Sequence, residues 1–345
     1  MMTTFENFLN NFNENDWMKS VENLLPEIHE VDRNATQIWF RFYPLALHKY
    51  LQSAEDKAVA VQQFVMQGDF ELKNQIDSSH KFLYGHRFWV EVKNAIIERA
   101  ESSESSGIET EARTIAKSVA DKLKIDQSLL IGITLIALMT LQQVGFGDFK
   151  DSPGKTEKPS GLLSKSPEQI VKERARDDSQ GLFGFLKTVD KNWTVTWDES
   201  KLKGKFKLIN DEEIASGAAR DQSQNWLAHD ARCGEGVIPV ECRSAACGTC
   251  WVGILAGAEK LSEVEPRERK QMKIFGYNQG DDAKPILRLA CQARTRGAVS
   301  LVIPPWNGVF GKKIYGGIEH IELEPATTSA VKLRQAITDA TGDSN

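Results

Sequence analysis

Apolar positions recur at helical spacing through the first 145 residues and then give way to strand-like alternation. Over 16–25 (D-W-M-K-S-V-E-N-L-L), Trp17, Val21, Leu24 and Leu25 share one helical face, and Pro26 ends or kinks that helix. Residues 34–52 carry Ile38, Trp39, Phe42, Leu45, Leu47 and Leu51, and residues 87–100 carry Phe88, Val92, Ile96 and Ile97, both at helical period. The run E-S-S-E-S-S-G at 101–107 predicts a loop, followed by helices over about 109–124 and 127–144. Within the last of these, 129–141 (L-L-I-G-I-T-L-I-A-L-M-T-L) holds no charge. It is shorter than the ~20 residues of a membrane span. A buried core helix is the expectation. A helix that docks into a partner and one lying at a membrane surface are the alternatives, and 129–141 is where a partner contact is expected.

Periodicity lapses over 145–179, where Gly, Pro, Ser and charged residues dominate. This stretch reads as a linker with a short helix near 167–176. Gly154-Lys155-Thr156 is excluded as a phosphate-binding loop, because the upstream glycine is replaced by Phe149 and no buried strand precedes it. Strands are predicted over 193–198 and 205–209, then a helix over 225–232 packing across the sheet, and a late strand over 299–303 stopped by Pro304-Pro305. The tail 317–345 carries a predicted helix over 329–339. The fold class expected is therefore α+β multidomain: an all-α domain at 1–145, a linker at 146–189, a strand-rich domain at 190–316 and a tail at 317–345.

A length of 345 residues allows two cores, and a net charge of −5 does not point to nucleic acid. Residues 1–16 lack a basic segment followed by an apolar run, so no signal peptide is expected. The five cysteines do not suit a small stapled domain. A reducing compartment, the cytoplasm, is the default, and membrane association is not favoured.

Four of those cysteines carry the chemistry. Cys242, Cys247 and Cys250 form a C-x4-C-x2-C run, C-R-S-A-A-C-G-T-C, and Cys291 follows in R-L-A-C-Q. This is the plant-type ligand spacing of a [2Fe–2S] cluster, which takes four thiolates, two on each iron. Zinc is the competing reading, but only Cys247 and Cys250 make a C-x2-C knuckle and Cys291 has no close partner. Ser244, Ala245, Ala246, Gly248 and Thr249 are small enough for the backbone to approach a cluster, and Gly248 can adopt positive φ.

The segments P-V-E-C-R-S-A-A-C-G-T-C (239–250), L-S-E-V-E-P-R-E (261–268) and L-R-L-A-C-Q (287–292) resemble the plant and bacterial [2Fe–2S] ferredoxin family. The resemblance covers about 193–315. It implies a β-grasp fold, a bound [2Fe–2S] cluster on Cys242, Cys247, Cys250 and Cys291, and one-electron transfer. Two features depart from the family: Ala245 stands where Gly is usual, and the longer Cys250–Cys291 gap predicts an extra helix or loop around 263–285.

Other residues receive plainer readings. Cys233 is expected to be packed in the core, with a reserve ligand or redox-sensing thiol as the alternative. Arg243, Arg288, Arg294 and Arg296 lie near the ligands, and 190–316 holds 19 Lys/Arg against 16 Asp/Glu, unlike the acidic plant ferredoxins. A positive charge there would favour the reduced cluster, whereas solvated arginines would not. Trp251 and Trp306 are expected as core or lid rather than docking face. His29, His48, His80 and His86, with Asp77 and Tyr84 beside the last two, show no metal signature and read as structural.

The expected function is that of a one-electron carrier and not an enzyme, with the helical domain docking redox partner proteins or forming a homo-oligomer. The alternatives are an iron–sulfur subunit of a larger oxidoreductase and a redox-sensing regulator.

Overall fold

The computed structural model describes residues 3–101, 107–181, 191–277 and 283–309, with 311 and 314. The chain divides into two compact units. One comprises Met1–Glu55, Glu71–Glu173 and Glu199–Leu202, and the other Asp56–Phe70, Arg174–Asp198 and Lys203–Asn345.

The first unit is helical. It opens with α1 (Thr4–Asn10), α2 (Glu14–Leu24), α3 (Glu30–Phe42) and α4 (Leu45–Ser53). The single helical pattern over 34–52 is thus two helices. Pro44 disfavours helical geometry at Tyr43 and lacks the N–H that a helix interior needs. The next elements, α5 (Lys57–Gln63) and β1 (Gln67–Gly68), belong to the other unit. The helical unit resumes with α6 (Trp89–Ala100), α7 (Ile108–Leu123), α8 (Ser128–Val144), α9 (Phe146–Asp151) and all but the last two residues of α10 (Pro167–Ala175).

Helix α8 is its axis. Every residue from 129 to 141 is buried, so the segment left open as a docking face is internal. A Cβ on Gly132 would stand 2.3 Å from Thr36 Oγ1, so glycine permits the close approach of α3. Among the described residues no helix is long and apolar enough to cross a membrane. Residues 146–173, expected as linker, pack into this unit. Leu163 and Ile170 are buried in a cluster with Val31, Tyr84 and Leu129.

The second unit holds a five-stranded sheet of β2 (Asn192–Thr196), β3 (Lys205–Ile209), β5 (Trp251–Ala256), β6 (Leu287–Leu289) and β8 (Val299–Val302), in the order β3-β2-β8-β5-β6. Only β2 and β8 are parallel; the other pairs are antiparallel, with a bulge between Ile254 and Ala256. This mixed order is the β-grasp arrangement that the resemblance implies. A short β4 (Glu212–Glu213) pairs with β7 (Arg294–Thr295).

The helix across the sheet is α11 (Ile214–Arg220), where a Gly217 Cβ would stand 2.5 Å from Leu208 Cβ. The helix expected over 225–232 shrinks to α12 (Trp226–His229). In the Cys250–Cys291 excursion lies α13 (Pro266–Phe275). Residues 56–70, expected inside the all-α domain, instead supply α5 and β1 here, with β1 pairing β9 (Trp306–Asn307). A Cβ on Gly68, at φ 90°, would stand 2.4 Å from Pro305 O, so glycine allows this pairing. The predicted tail helix over 329–339 lies outside the described residues.

His80 and His86 pair through their Nδ1 atoms at 2.9 Å in the helical unit, and the His80 ring lies tilted against Trp89 with centroids 4.0 Å apart. Burial, and for His80 the neighbouring His86 as well, disfavours their charged forms. His80 lies well below the ordinary range and His86 is lowered to about 4. An unfolded imidazole titrates near 6.5. As pH falls below about 6.5, the unfolded chain takes up protons that the folded unit refuses until about pH 4, and stability drops. Between about pH 7.5 and 5.5, above the carboxylate range, urea unfolding followed by circular dichroism should show a loss of about 1 kcal/mol per histidine. Equal stability at both pH values would contradict this account.

Candidate metal centre

The β5–β6 ladder sets one half of the site. Trp251 pairs with Leu289, so Cys250 and Cys291 emerge side by side at the end of the pairing. Ala290 N–H donates to Cys250 O at 2.9 Å and Cys291 N–H donates to Cys250 Sγ at 3.4 Å. Cys250 and Cys291 are buried, whereas Cys242 and Cys247 are half-buried.

The 242–250 loop sets the other half. Arg243, Ala245 and Gly248 take left-handed φ of 49°, 62° and 67°. Alternating right- and left-handed residues turn successive N–H groups to one side, a concavity suited to anions. Within this loop the N–H of Ser244 donates to Cys242 Sγ at 3.4 Å. Gly248 meets a further demand: a Cβ there would stand 2.8 Å from the Phe275 ring, which covers the loop from the end of α13.

The four thiols group two and two. Cys242 interacts electrostatically with Cys247, and Cys250 with Cys291. The partner thiol pulls Cys242 down to about 5 and lowers Cys291, while the partner thiol and burial raise Cys247 and Cys250. Two pairs, each with a backbone N–H on one of its sulfurs, fit a cluster with two irons and two thiolates on each. Among the described residues, no three His, Cys, Asp or Glu side chains are grouped to hold a single metal ion.

Residues 216–296 match the family model of the 2Fe-2S iron-sulfur cluster binding domain. This region is a [2Fe–2S] ferredoxin-type domain. The match runs from within α11 to Arg296, just past β7. No solved structure matches the chain. A domain of this family binds a [2Fe–2S] cluster, which when bound supplies one-electron redox chemistry.

Around the ferredoxin-type site, each singled-out arginine has a carboxylate partner. Arg243 Nε donates to Glu235 at 3.1 Å, Arg294 bonds Glu265 at 2.9 Å, and Arg296 bonds Asp211 at 3.0 Å. Arg288 and Glu268 form a wholly buried two-pronged pair, both bonds at 2.9 Å, and Glu268 also accepts from Leu289 N–H at 3.0 Å. The positive field expected from these side chains is offset at its source. Cys233 is buried, its thiol donates to Val237 O at 3.1 Å, and burial raises it to about 12. It is not a thiolate at neutral pH. Trp251 stacks on Tyr277 at 4.3 Å and meets Trp306 edge-on at 5.6 Å; all three are buried, so the tryptophans are core.

Replacing Gly248 by Ala should cost on the order of 1–2 kcal/mol for the left-handed backbone, plus the displacement of Phe275. Iron content per chain and thermal midpoint should both fall. Wild-type values for both would contradict the roles given to Gly248.

Proposed function

We propose that this protein is a one-electron carrier whose [2Fe–2S] cluster is held by Cys242 and Cys247 on one iron and by Cys250 and Cys291 on the other. The observation that carries this reading is the β5–β6 ladder that sets Cys291 beside Cys250, with backbone N–H groups donating to Cys242 Sγ and Cys250 Sγ. The Cys242–Cys247 side is the more exposed, and Arg243 beside it lies at the surface. Electrons would therefore enter and leave on that side.

In this reading the helical unit docks a redox partner protein or a second copy of the chain, and the protein works in the cytoplasm. Because α8 is internal, docking falls to the outer helical faces. Service as the iron–sulfur subunit of a larger oxidoreductase is the same chemistry in another assembly, and stoichiometric co-purification with a catalytic subunit distinguishes it. A redox-sensing role is less well supported, since Cys233 is buried and protonated.

Replacing Cys291 by Ser should abolish or strongly reduce the visible absorption of the oxidised cluster and lower iron per chain. The same exchange at Cys233 should leave both unchanged. A Cys291→Ser protein with wild-type spectrum and iron would overturn the ligand assignment.

A further inference from the structure

The 242–250 loop carries two hydroxyls in different circumstances. Thr249 Oγ1 donates to Glu241 Oε2 at 3.5 Å. Ser244 Oγ is buried and has no hydrogen-bond partner among the described residues. Buried hydroxyls are almost always satisfied, and leaving one unmade costs about 1–3 kcal/mol.

The position of Ser244 identifies what can satisfy it. Its backbone N–H donates to Cys242 Sγ at 3.4 Å, so the unpartnered hydroxyl belongs to a residue that already lies against this ligand. The residue sits between Arg243 and Ala245, both left-handed, and its Oγ is buried within that turn. Sulfur of a cluster thiolate is an acceptor, and it becomes a better one when the cluster gains an electron.

We infer that Ser244 is a tuning residue: its hydroxyl donates a hydrogen bond to the sulfur of the cluster at Cys242 and raises the reduction potential. This rests on the ligand assignment above. No proton is transferred; the hydrogen stays on Ser244 Oγ in both oxidation states. The bond stabilises the more anionic reduced form more than the oxidised form. It is also independent of the arginines, whose charges are offset by carboxylates.

The test uses the full-length protein loaded with its cluster, in wild-type form and as Ser244→Ala and Ser244→Thr. Visible absorption and iron content report on the ligands, and a redox titration reports on the hydroxyl. Wild-type protein that binds no cluster would defeat the ligand assignment itself. With clusters present, Ser244→Ala should lower the reduced-to-oxidised ratio at a fixed solution potential by roughly three- to tenfold. That is a shift of roughly 30–60 mV to more negative potential, at about 59 mV per tenfold for one electron. The electron paramagnetic resonance signal of the reduced protein should also lose one coupling to a solvent-exchangeable proton. Ser244→Thr, which keeps the hydroxyl, should preserve both wild-type properties. If the alanine variant loads poorly, Ser244→Gly is the second hydroxyl-free form. A hydroxyl-free variant with unchanged potential and an unchanged exchangeable-proton coupling would overturn the inference.

Discussion

The turning of backbone N–H groups toward the cysteine sulfurs, Ser244 to Cys242 and Cys291 to Cys250, is the constraint on which the rest of the site depends. A loop can aim several N–H groups at one anionic centre only if left-handed residues interrupt its ordinary course. Here those residues are Arg243, Ala245 and Gly248, and only the last is glycine. The other two adopt a conformation that costs about 1 kcal/mol or more for a residue with a side chain. Surrounding packing must impose it. Ala245 is buried, Arg243 is tied to Glu235, and Phe275 closes over Gly248. The β5–β6 ladder then delivers Cys291 beside Cys250 without any loop strain of its own.

The long Cys250–Cys291 excursion has a structural purpose in this scheme. Helix α13 supplies both Phe275, which covers the loop, and Glu268, whose carboxylate grips Arg288 and the Leu289 N–H just before Cys291. A buried ion pair of this kind gives geometric specificity more dependably than net stability. It fixes β6 while leaving no free charge beside the cluster. The positive balance of 190–316 consequently does not translate into four unshielded cations at the site.

What could be read from the sequence was what depends on local spacing. The cysteine run, the strand alternation at 193–198 and 205–209, and the long apolar helix over 129–141 all carry their own signal. The break at Tyr43-Pro44 was also local, but apolar periodicity continues across it and masks it. Helix α11 packs on the sheet with Gly217, Ala215 and Ala218, residues too small to register as an apolar stripe. The heavier Trp226-Leu227 attracted the prediction instead. Residues 146–173 hold few apolar anchors, yet Leu163 and Ile170 suffice to embed them. The β1–β9 pairing, the covering of Gly248 by Phe275 and the burial of the Ser244 hydroxyl join positions remote in sequence or depend on loop geometry, and no periodicity announces them.

The central claim is that Cys242, Cys247, Cys250 and Cys291 enclose one two-iron cluster that passes single electrons. Combined iron and acid-labile sulfide analysis with a reductive titration of the full-length protein addresses it most directly. The account predicts two irons and two sulfides per chain, and the uptake of one electron. Stoichiometric zinc, a single iron without sulfide, or a centre that takes up no electron would contradict it.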